Sequence, residues 1–208
     1  MITHLSSPVT VNWGITARCN FVCSHCFSRL DPSEELSPED ALRVVDILAE
    51  RSVMFLNYGT GEPLLRGDLF PLTEHAVAKG LKVTMNSNGS LLDAAAARRI
   101  REAGFHSVGI SIDSATPGTH DAFRRMPGSF EKAVRAARLL REEGVPLTVS
   151  SVICKVNHGD FPALVALAKE LGAHTIDLHN FKCSGMGAPS RDARRHRDCA
   201  AAPSSLPS

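Results

Sequence analysis

Cys19, Cys23 and Cys26 share one loop, Cys19-Asn20-Phe21-Val22-Cys23-Ser24-His25-Cys26, with three and then two residues between them. Thiolates this close in sequence can converge on one metal centre, and they suit iron–sulfur clusters, zinc and copper. A cubane cluster held by three cysteines keeps one iron free to bind a small molecule. A structural zinc site would want a fourth ligand. His25 is a candidate, but it directly precedes Cys26 and is poorly placed to point the same way. Cys154, Cys183 and Cys199 are more distant candidates. The spacing therefore reads as a site-differentiated cluster, with a zinc site and unligated thiols as the alternatives.

Three further stretches carry candidate chemistry. In Gly59-Thr60-Gly61-Glu62-Pro63, Gly61 lets backbone approach a ligand closely, and Glu62 beside it could meet a cationic group such as an amine. A turn with a solvated acid is the plain alternative. Ser87-Asn88-Gly89-Ser90 contains Asn-Gly, a common turn. Ser111 and Asp113 alternate at a strand end, where both could hydrogen-bond hydroxyls; Asp113 could equally cap the following loop.

The elements that must position these residues alternate. Residues 9–16 alternate apolar and polar side chains and read as a strand. Further strands are expected at 53–58, 82–86, 107–112, 147–153 and 175–181. The apolar run 53–58 reads as a strand covered on both faces. Ser37 and Pro38 open a helix with Leu42, Val45, Leu48 and Ala49 at helical spacing. Helices are also expected at 68–79, from Asp93 to about Gly104, from a Ser129 cap to Gly144, and at 161–171. The segment 114–128, with two prolines and two glycines, reads as a long loop. Helix-length crossovers imply parallel strands. Pattern alone leaves an open doubly wound sheet and a curved partial barrel equally available. In either, function collects at the carboxyl ends of strands, where every stretch named above falls.

Composition narrows the function classes. The 208 residues carry a net charge of +1, with 43% hydrophobic and 22% charged residues, as in an ordinary globular chain. The near-neutral charge gives no support for a nucleic-acid partner. No run approaches the roughly 20 apolar residues of a membrane span, and residues 1–8 lack the features of a signal peptide. A cytoplasmic, reducing setting is expected, in which six cysteines are thiols or metal ligands rather than disulfides.

Assembled, these residues resemble the radical S-adenosylmethionine (radical SAM) superfamily. Cys19-x3-Cys23-x2-Cys26 matches its cysteine signature, and Thr60-Gly61-Glu62-Pro63 resembles its Gly-Gly-Glu-Pro motif with Thr60 replacing the first glycine. Asn86-Ser87-Asn88-Gly89 is similar to its Thr-Asn-Gly strand end, and Ser111-Ile112-Asp113 to its Ser-Ile-Asp stretch. His120-Asp121-Ala122-Phe123-Arg124 with Gly128-Ser129-Phe130-Glu131 resembles the subgroup of SPASM-type peptide maturases and haem-biosynthesis enzymes.

The resemblance implies a partial (β/α)6 barrel, an incomplete TIM-like barrel of parallel strands, with a [4Fe–4S] cluster at its mouth. Cys19, Cys23 and Cys26 would each ligate one iron, and S-adenosylmethionine would chelate the fourth. Thr60, Gly61 and Glu62 would lie against its amino group; Asn88, Ser111 and Asp113 are candidates for its methionyl and ribose ends. Reductive cleavage would give a 5′-deoxyadenosyl radical that takes hydrogen from a peptide or small-molecule substrate, with a flavodoxin- or ferredoxin-type electron donor. The core domain is expected at 9–187. Cys183-Ser184-Gly185-Met186-Gly187 falls where the subgroup often has a Gly-x-Gly loop; beyond it, 188–208 reads as a disordered tail or truncated end without the subgroup's cysteine-rich extension. A non-catalytic barrel that binds a cluster or partner, and a zinc-binding structural domain, are the alternatives.

Overall fold

The computed structural model describes residues 7–26 and 35–181. The segment 183–187, Cys199 and the tail 188–208 lie outside the described residues.

Strands and helices alternate: β1 (Thr10–Gly14), α1 (Pro38–Glu50), β2 (Phe55–Gly59), α2 (Leu69–Ala78), β3 (Lys82–Ser87), α3 (Ala94–Glu102), β4 (Ser107–Ser111), α4 (Pro117–Arg124), α5 (Ser129–Glu142), β5 (Leu147–Ile153), α6 (Phe161–Leu171) and β6 (Thr175–Asn180). Each strand pairs in parallel with the next, in the order β1-β2-β3-β4-β5-β6. A doubly wound sheet starts in its middle and reverses. Here the order never reverses, so every crossover steps the same way and the sheet curls into an open half-barrel, a partial (β/α)6 barrel.

The register separates two faces of opposite chemistry. Leu56, Tyr58, Val83, Met85, Ile110 and Val149 are at most 1% exposed and form the core with the helices. The alternate positions, Asn57, Thr84, Asn86 and Ser111, face the concave side and are only half-buried. Residues 53–58 are thus not covered by core on both sides; β2 buries Leu56 and Tyr58 on one face and turns Asn57 to the other.

The helix starts follow their capping chemistry. Ser37 Oγ accepts the Asp40 N–H at 3.1 Å, and Pro38 opens α1. Asp93 accepts the Ala96 N–H at 2.8 Å at the start of α3. Two expectations are corrected. The segment 114–128 is not all loop but contains α4, eight residues opened by Pro117, whose fixed φ and missing N–H suit a first helical turn. Ser129 is not the cap of α5 but its first residue, after Gly128 at φ 74. The capping acceptor comes from α4: Asp121 takes the Gly128 N–H at 2.6 Å and the Phe130 N–H and Ser129 hydroxyl at 2.8 Å. No described helix is long and apolar enough to cross a membrane.

Ile110 lies at the centre of this core with 0% exposure, whereas Ile47 on α1 is 55% exposed. Ile110→Ala should therefore cost about 2–5 kcal/mol in urea unfolding, and Ile47→Ala within about 0.5 kcal/mol of nothing.

Candidate functional site

The carboxyl ends of the strands open onto one cavity of about 500 Å3. Cys19, Cys23 and Cys26 line it together with Thr60, Gly61, Asn88 and Ser111. Loops from β1, β2, β3 and β4, up to about 90 residues apart in the chain, thus meet as their spacing at strand ends led one to expect. Among the described residues no three His, Cys, Asp or Glu side chains form a group that could hold a metal ion. Cys19, Cys23 and Cys26 line one cavity wall, and such a set of three thiols suits a polynuclear cluster, in which each binds a different metal atom.

The loop after β2 is zipped to the stem of the cysteine loop. Glu62 N–H donates to Arg18 O at 2.8 Å, and Thr60 Oγ1 donates to Thr16 O at 3.1 Å. The backbone here is too close for side chains: a Cβ on Gly61, at φ 59, would lie 2.5 Å from both Arg18 O and Thr16 O. Thr60 itself sits at φ 65. That left-handed conformation costs a β-branched residue about 1–2 kcal/mol, the physical reason for glycine at the matching position of the motif it resembles. Its hydroxyl bond to Thr16 O offsets part of that strain.

Glu62 and Asp113 are not on the cavity wall but behind it. Glu62 is 0% exposed. Its carboxylate accepts the Ser87 hydroxyl and the Asn88 N–H, both at 2.8 Å, and the Leu64 N–H at 3.4 Å. Burial pushes its carboxyl up, against the pull of those donors. Glu62 therefore fastens the β2 loop to the end of β3. Asn88, placed by that bond, donates to Asn20 Oδ1 at 2.9 Å and reaches Cys19 Sγ at 3.9 Å. Asp113 is 1% exposed and pairs with Arg124, Nε to Oδ2, at 2.6 Å; it also accepts the Val152 N–H at 2.9 Å. Burial alone would raise the Asp113 carboxyl, but the Arg124 guanidinium outweighs it and holds the group below the usual carboxylate range.

Arg124 carried no assigned chemistry in the sequence, because a loop gives a side chain no fixed aim. As the last residue of α4 it is 7% exposed and lines the cavity beside the cysteines. The same helix end clamps the cysteine loop. Ser24 donates its N–H and hydroxyl to Phe123 O at 3.2 and 2.8 Å, and the His25 ring stacks on Phe123 at 4.3 Å between centroids. Burial, then Arg124, pushes His25 down to about 4, so it is neutral at physiological pH. Phe21, 3% exposed, packs inside the loop. Asn12, Asn57, Asn86 and Ser150 on the concave face were also not singled out as site residues, since lone polar residues in strands carry no spacing signature.

Two outcomes check this geometry. Gly61→Ala should part the β2 and cysteine loops, lowering stability by about 2 kcal/mol or more and exposing Cys19 to faster reaction with a thiol reagent. Asp113→Asn should cost about 3–5 kcal/mol near neutral pH, because it leaves Arg124 buried without its counter-charge. Since the folded pKa of Asp113 is depressed, its contribution is present above the ordinary carboxylate range and lost as pH falls below about 4. Wild-type urea midpoints should fall over that range more steeply than those of the variant.

A sequence profile described as the radical SAM superfamily matches residues 13–168. The chain is 35% identical over 193 residues to an AdoMet-dependent heme synthase of Methanosarcina barkeri, covering 91% of this chain and 55% of that protein. It is 35% identical over 188 residues to a mycofactocin maturase of Mycobacterium ulcerans, covering 88% of this chain and 50% of that one. The chain thus spans about half the length of the curated relatives it matches. In fold it is similar to Streptococcus suis SuiB solved with S-adenosylmethionine, with a TM-score of 0.79, 16% identity, and coverage of 93% of this chain and 47% of that one.

Proposed function

Since the chain belongs to the radical SAM superfamily, we propose that Cys19, Cys23 and Cys26 hold a [4Fe–4S] cluster and that the cavity binds S-adenosylmethionine, making the protein an enzyme of radical hydrogen abstraction. When bound, the cluster would supply the electron that cleaves the sulfonium and yields a 5′-deoxyadenosyl radical. The observation that carries this reading is the trio of thiols on one cavity wall, beside groups suited to a zwitterionic nucleoside.

The chain's own residues divide the work. Burial pushes the Cys19 and Cys23 thiols up, so they give up their protons only as metal takes the charge. The Phe21 N–H, 3.4 Å from Cys19 Sγ, and the Asn88 amide then stabilise sulfur charge. Arg124 offers the cavity a cation fit for a carboxylate. The Thr60-Gly61 backbone is open to an amino group, and Asn88 and Ser111 can bond ribose hydroxyls. Glu62 and Asp113 are positioning residues: one holds the Asn88 loop, the other aims Arg124. Phe123 and His25 shield the loop from water.

The substrate class follows the relatives, whose names cover both peptide maturation and haem synthesis. A peptide or a cofactor precursor is therefore the substrate proposed, with an external electron donor of flavodoxin or ferredoxin type and a reducing, cytoplasmic setting.

Anaerobic reconstitution, iron and sulfide counts, and assay of 5′-deoxyadenosine after reduction test the reading. Wild type should carry about four iron atoms and four sulfides and form 5′-deoxyadenosine. Cys23→Ala should lose the iron and Cys199→Ala keep it. Zinc in place of iron would sink the proposal; a cluster with no 5′-deoxyadenosine would leave a non-catalytic barrel.

A further inference from the structure

Asp113 holds Arg124 at the cavity, and Asp113 is itself held on every polar atom. Its N–H donates to His120 Nδ1 at 3.2 Å, and its carbonyl oxygen accepts from Asn157 Nδ2 at 2.7 Å. One carboxylate oxygen takes the Val152 N–H at 2.9 Å, and the other takes Arg124 Nε at 2.6 Å. His120 and Arg124 lie one turn apart on α4, so two of these bonds come from the helix that carries the guanidinium. The other two come from β5 and the loop after it.

Asn157 organises that second pair. It lies 44 residues from Asp113 in the chain and is 2% exposed. Its Nδ2 also donates to Val152 O at 2.8 Å, and its Oδ1 accepts the Cys154 N–H at 2.8 Å. Both amide N–H groups and the amide oxygen are thereby used. One side chain thus ties the end of β4 to the end of β5, where Val152 both lines the cavity and donates to Asp113. The Ser114 hydroxyl donates to Asp160 beside it, joining the residue after Asp113 to the start of α6.

The aim of Arg124 depends on this junction. Nε is the atom that meets Asp113, and the two Nη atoms carry the remaining N–H groups of a guanidinium that lines the cavity. Bidentate capture of a carboxylate by that planar fork depends on its orientation. The orientation comes from Asp113, whose backbone is fixed as firmly as its charge. An aspartate free to shift would keep its ion pair and carry the guanidinium away from the cavity wall.

We propose that Asn157 is a positioning residue for the S-adenosylmethionine carboxylate: by locking Asp113 between β4 and β5, it sets where Arg124 presents its fork. This role deepens the function proposed above and rests on it for the identity of the ligand.

Equilibrium dialysis of the anaerobically reconstituted full chain against two ligands tests it. Decarboxylated S-adenosylmethionine keeps the sulfonium, amine and nucleoside of S-adenosylmethionine and lacks only the carboxylate. Asn157→Ala should weaken retention of S-adenosylmethionine about tenfold, the scale of a hydrogen bond to a charged group, and leave that of the decarboxylated ligand unchanged. Iron content and circular dichroism should match wild type. Asn157→Ser, which keeps a small polar group at this buried position, carries the same comparison if the alanine variant folds poorly. Arg124→Lys keeps the charge and removes the fork, so adding Asn157→Ala to it should have little further effect. Equal weakening of both ligands, unaltered retention of S-adenosylmethionine, a full loss persisting on top of Arg124→Lys, or loss of iron and circular dichroism in both Asn157 variants overturns the proposal. A wild-type chain that retains neither ligand removes the S-adenosylmethionine reading itself; wild-type retention with any of those variant outcomes removes this inference alone.

Discussion

The buried carboxylate of Glu62 is the constraint on which the site depends. A carboxylate with 0% exposure persists only if its oxygens are satisfied. Here the satisfying groups are Ser87, Asn88 and Leu64, while the residue's own N–H holds Arg18 O. One side chain and one N–H therefore join the loops after β1, β2 and β3. The cysteine loop inherits its position from that junction, because Asn88 in turn bonds Asn20 and approaches Cys19. The acid that looked available to a ligand is an internal strut.

A second buried charge does the corresponding job on the other side. Asp113 sits at the end of β4 and fixes Arg124 at the end of α4, and that helix end holds Ser24 and His25 of the cysteine loop. The loop is gripped from both flanks, by the β2–β3 junction and by α4. The grips act mainly on the residues between the cysteines, with Asn88 also reaching Cys19 Sγ at 3.9 Å, and all three cysteines line the cavity. A pair buried this deeply adds little net stability; its effect is to give a guanidinium one place to stand.

The two faces of the sheet carry separate functions. Leu56, Met85 and Ile110 on the convex side supply the apolar burial that holds the helices. The concave side is thereby released from packing duty and can present Asn57, Asn86 and Ser111. Among the described residues β1 and β6 are the edge strands, each paired on one side, and an open sheet is compatible with this division, since a polar face needs no closure to stay in water.

The sequence alone determined a good deal. Period-two strands, helical stripes and glycine terminators are local signals, so the alternation of elements was legible from residue 9 onward. The cysteine spacing was legible for the same reason: ligands within one loop need no tertiary contact to be neighbours. Whether the sheet reversed or curled was not, because strand order is a relation between segments that no local pattern encodes. Nor was α4, whose prolines and glycines describe a loop as well as a short helix. Only the folded chain decided that Glu62 and Asp113 turn inward and Arg124 outward to the cavity. A carboxylate's role depends on which donors come within about 3 Å of it, and those donors lie 25 and 26 residues away for Glu62 and 11 for Asp113.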